Sequence, residues 1–142
     1  SNICAGIGRG QMQVLNQHVN YRREMHQFYV DYFVSVEGVS VFSEPDENYY
    51  SNHWLTVVLI DPIKTNEKTS EDLRLALEKA NIESRPLWKP MHLQPVFQKY
   101  PYYGGQVSEK LFENGLCLPS GSNLREIEKS RIIEELNRFF NL

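Results

Sequence analysis

The chain is poor in the residues that build self-sufficient sites. It has two cysteines, Cys4 and Cys117, far apart in sequence and in no zinc-ligand spacing. They read as reduced thiols of a cytoplasmic protein, although the sequence leaves open a disulfide between them. Four histidines, His18, His26, His53 and His92, are scattered and form neither an H-x-x-x-H nor an H-E-x-x-H pattern, so no metal site is expected. There is no Gly-x-Ser-x-Gly elbow and no other complete catalytic constellation, so no catalytic residue is assigned to the chain. No basic block exists: the net charge is −3, which argues against wholesale binding to nucleic acid or an anionic membrane. No apolar run approaches the ~20 residues of a membrane helix. No basic segment leads into an apolar one at the start, so no secretory signal is visible. There is no internal repeat and no low-complexity tail.

What is present suits one soluble domain with a real core. The length is 142 residues, with 41% hydrophobic and 23% charged. Met25, Phe28, Tyr29, Tyr32 and Phe33 recur at helical spacing, and no proline interrupts residues 2–34. A helix of that length spans nearly ~50 Å, longer than a small domain needs. It is expected to bridge to something beyond residues 35–142. Gly6, Gly8 and Gly10 share a G-x-G-x-G spacing, but no strand precedes them, so the context of a dinucleotide loop is missing. Close packing at a domain or subunit contact is the expected use. His18 and His26 on this helix are expected at its surface or at an interface.

Strands are expected at 39–42, 53–60, 82–87 and 116–118, and helices at 3–34, 70–81, 107–114 and 124–140. His53 then lies in a strand, as a packed or edge residue. Thr69 or Ser70 is placed to cap the second helix, and Ser122 or Asn123 the last one. Residues 64–68 read as a mobile polar loop, and 95–100 as one helical turn. The fold class is α/β (α+β), a small mixed or antiparallel sheet flanked by helices.

The stretch 85–97, RPLWKPMHLQPVF, is the most informative. Its prolines push Arg85, Lys89 and Gln94 out of helix and stiffen a loop carrying Arg85, Trp88, Lys89 and His92. Cations beside a flat apolar ring suit an anionic ligand with an aromatic or sugar face. On composition alone, Leu87, Trp88 and Met91 would more often plug a core. The tyrosines of 100–105 are equally readable as ligand or partner contacts and as surface packing.

RPLWKPMH resembles a segment of the DegT/DnrJ/EryC1/StrS aminotransferases, pyridoxal-phosphate enzymes that aminate keto sugars attached to nucleotides. SNICAGIGRGQMQVL with YRREMHQFY resembles that family's long central helix, and ENGLCLPS its short L-x-L-P strand. Nearly the whole chain is covered, but only by the C-terminal part of such an enzyme. The WKPMH variant is similar to the branch serving bacterial surface glycans and polysaccharides. The resemblance implies a small C-terminal domain of a fold-type I aminotransferase, residues 1–34 forming an interdomain helix and 35–142 the α/β unit. It implies a homodimer, with glutamate as the expected amino donor. It places pyridoxal phosphate on an N-terminal domain that precedes this sequence, with no coenzyme expected on the chain itself. Arg85 and Lys89 would then face a substrate diphosphate, and Trp88 and His92 the sugar. Among Lys64, Lys68, Lys79, Lys89, Lys99, Lys110 and Lys129, none is read as the coenzyme lysine. The alternative is a non-catalytic binding or interaction module with the same fold.

Overall fold

A computed structural model describes residues 1–142. In chain order the elements are α1 (Asn2–Phe33), β1 (Val39–Val41), β2 (Thr56–Ile60), α2 (Ser70–Lys79), β3 (Arg85–Pro86), α3 (Val107–Asn114), β4 (Gly115–Leu118) and α4 (Glu126–Phe140). One 3-10 turn, Met91–Leu93, interrupts the connection from β3 to α3. The strands form one sheet in the order β1-β2-β4-β3, every neighbouring pair antiparallel.

Alternation along β2 builds the core. Thr56, Val58 and Ile60 are fully buried, while Val57 and Leu59 are half-buried. Val58 pairs with Leu116 and Thr56 with Leu118, so strand partners share one face. Met25, Tyr29 and Phe33 of α1, Leu73 and Leu77 of α2, and Ile132 and Leu136 of α4 close over that face. Each such side chain contributes roughly 1.5–3 kcal/mol by leaving water. β4 pairs along both edges, and all four of its residues are buried.

α2 starts where expected. The Thr69 side chain accepts from the Asp72 amide, and the Asp72 carboxylate accepts from Thr69. Asn81, at φ +54, ends the helix in the left-handed region.

Several boundaries differ from expectation for local reasons. β2 begins at Thr56 rather than at 53. The Ser51 hydroxyl accepts from the His53 amide and Asn52 Oδ1 from the Trp54 amide, so side-chain turns compete with the ladder. The edge strand β3 is two residues long, because Pro86 offers no N–H. α4 begins at Glu126. Ser122 is taken by His18, 2.8 Å away, and the Glu128 carboxylate instead accepts from the Arg125 amide. Residues 64–68 are a bonded turn, not a loose loop: the buried Thr65 hydroxyl bridges the Asp61 and Lys68 carbonyls. Residues 95–100 form successive turns, and the helical turn falls at Met91–Leu93, just after Pro90.

The first half of α1 stands clear of the rest. Residues 1–17 are all exposed, including Ile3, Ile7 and Met12. Beyond the local helix backbone and chain neighbours, no atom lies within 4 Å of where a Cβ would sit on Gly6, Gly8 or Gly10. No helix is long and apolar enough to cross a membrane.

Candidate functional site

A cleft of about 1100 Å³ opens beside the β3 edge of the sheet. Residues 82–88 form one wall. The turn after β4, with Pro119, Ser120 and Gly121, forms another, and Glu128, Arg131 and Ile132 of α4 close the third. Ile82, Leu118, Leu124 and Ile132 make the floor apolar.

Two indoles stand at the rim. Trp54 and Trp88 have ring centroids 5.8 Å apart, tilted by 34°, and are 56% and 68% exposed. Trp88 therefore does not plug the core, and neither does Met91, at 60% exposed. Leu87 is half-buried and lies against Gly115. An exposed aromatic pair over an apolar floor is an uncommon use of tryptophan and suits a flat or sugar-like ligand face.

The sequence-derived candidates separate in space. Arg85 and Trp88 both line the cleft. Arg85 is paired with Glu83, and both side chains are largely exposed. An exposed pair of this kind is worth only ~0–1 kcal/mol, so an anionic ligand displaces Glu83 at little cost. Lys89 is exposed, and its carbonyl accepts from the Gln94 side chain. His92 faces α3 rather than the cleft lining. Its Nε2 lies 2.9 Å from Glu109 Oε1, and its ring stacks on Tyr102 at 3.7 Å. The aromatic patch is thus partly structural, although Tyr103 remains 89% exposed.

Three contributors were not legible as site residues. Trp54 sits where a strand was expected. Arg22 of α1 donates to the carbonyls of Trp54 and Ser120, joining two walls of the cleft. The Ser120 hydroxyl donates to the Leu118 carbonyl at 2.8 Å and accepts from the Thr56 amide at 2.7 Å. The available signal was the run Ser51-Asn52-His53-Trp54, where two turn formers precede an aromatic residue.

Behind Trp54, the connection from β1 to β2 is anchored on α1. Arg23 donates to Glu44 at 2.8 Å and to the Ser51 carbonyl. Glu44 Oε2 lies 3.1 Å from His53 Nε2. The Arg23 hydrogen bond, with help from the Ser51 amide, draws the Glu44 carboxyl down to about 2. His53 packs as expected, but against His26, whose ring is also buried. His26 is therefore not a surface residue: it fills the gap between α1 and this connection. Burial pushes its pKa down to about 4. The Cys117 thiol, buried at the edge of the cleft, is shifted up by desolvation, and both cysteines are free. No group of three or more His, Cys, Asp or Glu side chains comes together as a metal site.

Residues 1–137 match the DegT/DnrJ/EryC1/StrS aminotransferase family, and the chain belongs to that family. It is 41% identical over 145 residues to the putative pyridoxal phosphate-dependent aminotransferase EpsN of Bacillus subtilis (strain 168), covering 99% of this chain and 36% of that protein. It is 29% identical to a GDP-perosamine synthase of Escherichia coli O157:H7, over 99% of this chain and 36% of the relative. The fold matches the putative sugar aminotransferase Spr1654 of Streptococcus pneumoniae in its apo form, with a TM-score of 0.84 at 20% identity, over 99% of this chain and 35% of that one. The aminotransferase TlmJ of Streptoalloteichus hindustanus superposes with a TM-score of 0.81 at 21% identity, over 96% of this chain and 35% of that one. The chain spans 36% of the length of the first curated relatives it matches.

Proposed function

We propose that the chain is the C-terminal part of a pyridoxal-phosphate aminotransferase that aminates a nucleotide-linked keto sugar for glycan synthesis in the cytoplasm. The observation that carries this reading is the cleft. It places Arg85 and the Trp54–Trp88 pair on one rim, within a chain that matches the family along almost its whole length.

The residues present do not fit the coenzyme. A coenzyme lysine needs a cleft that grips a phosphate and a ring nitrogen beside it. The cations lining this cleft are Arg74, Arg85 and Arg131, and a guanidinium does not form the Schiff base that holds the coenzyme. No lysine lines it. The coenzyme therefore belongs to a preceding domain, and the isolated chain is inactive in this reading. Residues 1–34 form the interdomain helix and 35–142 the small domain. The apolar side of residues 3–14 is covered in a homodimer or by the preceding domain, where Gly6, Gly8 and Gly10 permit close approach.

For the substrate, Arg85 and Lys89 supply cations for a diphosphate, and Trp88 an apolar face for the sugar. His92 contributes to the sugar site by holding the loop to α3 through Glu109. Lys89→Ala in the intact enzyme should leave the coenzyme bound and weaken the sugar nucleotide by ~1.5–3 kcal/mol, roughly 10- to 150-fold in affinity. Titration calorimetry reads the affinity, and coenzyme absorbance reads retention. Unchanged substrate affinity removes Lys89 from the site. Stoichiometric borohydride labelling of one lysine, after mixing the isolated chain with pyridoxal phosphate, overturns the division of labour.

A further inference from the structure

We propose that the stacked imidazoles of His26 and His53 form an acid-released clasp that positions Trp54 at the mouth of the cleft. His26, His53 and Glu44 are then positioning residues, acting on the ligand through Trp54. The functional consequence rests on the substrate reading of the cleft; the clasp itself belongs to the chain.

Residues 42–55 carry no regular helix or strand between β1 and β2. They are held instead at a few points on α1. The imidazoles stack at 3.6 Å and 15°, each 6% exposed. His26 Nε2 lies 3.1 Å from the Ser43 hydroxyl, and Glu44 joins Arg23 to His53. His53 adopts φ +44, a left-handed conformation uncommon outside glycine and held here by its surroundings. Trp54 follows directly, with its carbonyl on Arg22. Where His53 sits therefore decides where the indole sits.

His26 takes up no extra proton while it is stacked. The Ser43 hydroxyl lies 3.4 Å from the Val41 carbonyl, and on that geometry we assign its oxygen as the acceptor of the His26 Nε2–H. His26 Nδ1 then carries the lone pair, and it is buried without a partner. A proton added there becomes a buried charged donor with no acceptor. The charged groups facing it are Arg23 from α1 and Glu44 and His53 from the connection. Arg23 and His53 oppose a second cation, and Glu44 is already engaged by Arg23 and by the Ser51 amide. Once released, the imidazole takes up its proton near its ordinary value of 6.5, against about 4 in the stack. The released form thus binds more protons throughout that window. The clasp is fully favoured well above 6.5 and loses up to ~10-fold in its closed-to-open ratio per pH unit, ~150-fold by pH 4.

The test is fluorine NMR of the full chain carrying 5-fluorotryptophan, with the Trp54 line assigned by its loss in Trp54→Phe. Between pH 7.5 and 4.5 the Trp54 line should shift or split, with a midpoint below 6.5, while far-UV circular dichroism holds constant. His26→Phe keeps a stacked ring without the proton site and should flatten the titration. A Trp54 line that stays fixed until the dichroism collapses overturns the clasp, as does one that titrates unchanged in His26→Phe. Should that variant not fold, the His26 ring proton shifts in the wild type serve instead. They must share the Trp54 midpoint, and a separate midpoint overturns the proposal. A Trp54 transition without binding of a nucleoside diphosphate sugar to the intact enzyme at pH 7.5 supports the clasp and refutes the substrate reading. Binding at pH 7.5 with an invariant Trp54 line does the reverse.

Discussion

Tyr29→Phe isolates one hydrogen bond that ties α1 to the turn beside the cleft. The Tyr29 ring is fully buried between Phe28 and Phe33, and its hydroxyl donates to the Pro119 carbonyl at 2.9 Å. Phenylalanine keeps the ring packing and removes only the oxygen. The loss is then the net worth of the bond plus part of the cost of an unpaired carbonyl, together ~1–2 kcal/mol. A chain of this length loses about 3 °C of melting temperature per kcal/mol, so ~3–6 °C is expected at pH 7. Alkali supplies a second signature. Burial raises the Tyr29 pKa far above its ordinary value of 10, so the wild type holds this stability fully below pH 10 and loses it as pH rises further. The variant has no such group to lose. Its deficit should therefore shrink by up to ~1.4 kcal/mol at pH 11. Tyr32, raised to about 12 by burial, titrates in both proteins and cancels. Chemical denaturation at pH 7 and pH 11 measures both effects. Equal stability at pH 7, or a deficit that does not shrink with pH, refutes this account of the bond.

Two other substitutions probe packing and capping. Gly115→Ala drives a methyl into the Leu111 carbonyl and to 2.5 Å from a Leu87 methyl, so thermal melting should show a loss of at least ~2 kcal/mol. Because Leu87 adjoins Trp88, Trp88 emission should shift as well. Thr69→Ala removes the cap of α2 and should cost ~0.5–2 kcal/mol by denaturant titration, with the fold unchanged by circular dichroism.

The elements carrying strong periodic signals were legible in the sequence. The buried stripe of Met25, Tyr29 and Phe33 reads directly from helical spacing, and β2 reads from its β-branched, apolar run, although its alternating burial does not. The cap of α2 was readable as Thr69 or Ser70, and the Asp72 partner one turn on selects Thr69. The site was less legible because its geometry depends on contacts distant in sequence. Arg85 and Trp88 share a proline-stiffened loop and were found together. Trp54 joins them only because β2 and β4 pair and Arg22 crosses from α1. His92 carried the same local signature as its neighbours, yet it turns away because Glu109, on a later helix, meets its ring. His26 reads from sequence as a surface or interface residue because its burial requires the 42–55 connection to fold back over α1, which no local pattern announces.

The uneven support along α1 has a kinetic consequence. From Met25 onward, opening the helix means pulling Tyr29 and Phe33 out of the core, so amide protons there exchange only at nearly the cost of global unfolding. Through residues 1–17 the same hydrogen-bond ladder has no packing from this chain, and a free helical segment of that length is marginal in water. One continuous helix should then exchange on two timescales, fast at the start and slow after the crossover near Met25. Whatever covers Ile3, Ile7 and Met12 would slow the first half toward the second. Proton exchange along this single element would thereby report any partner that packs on its first half.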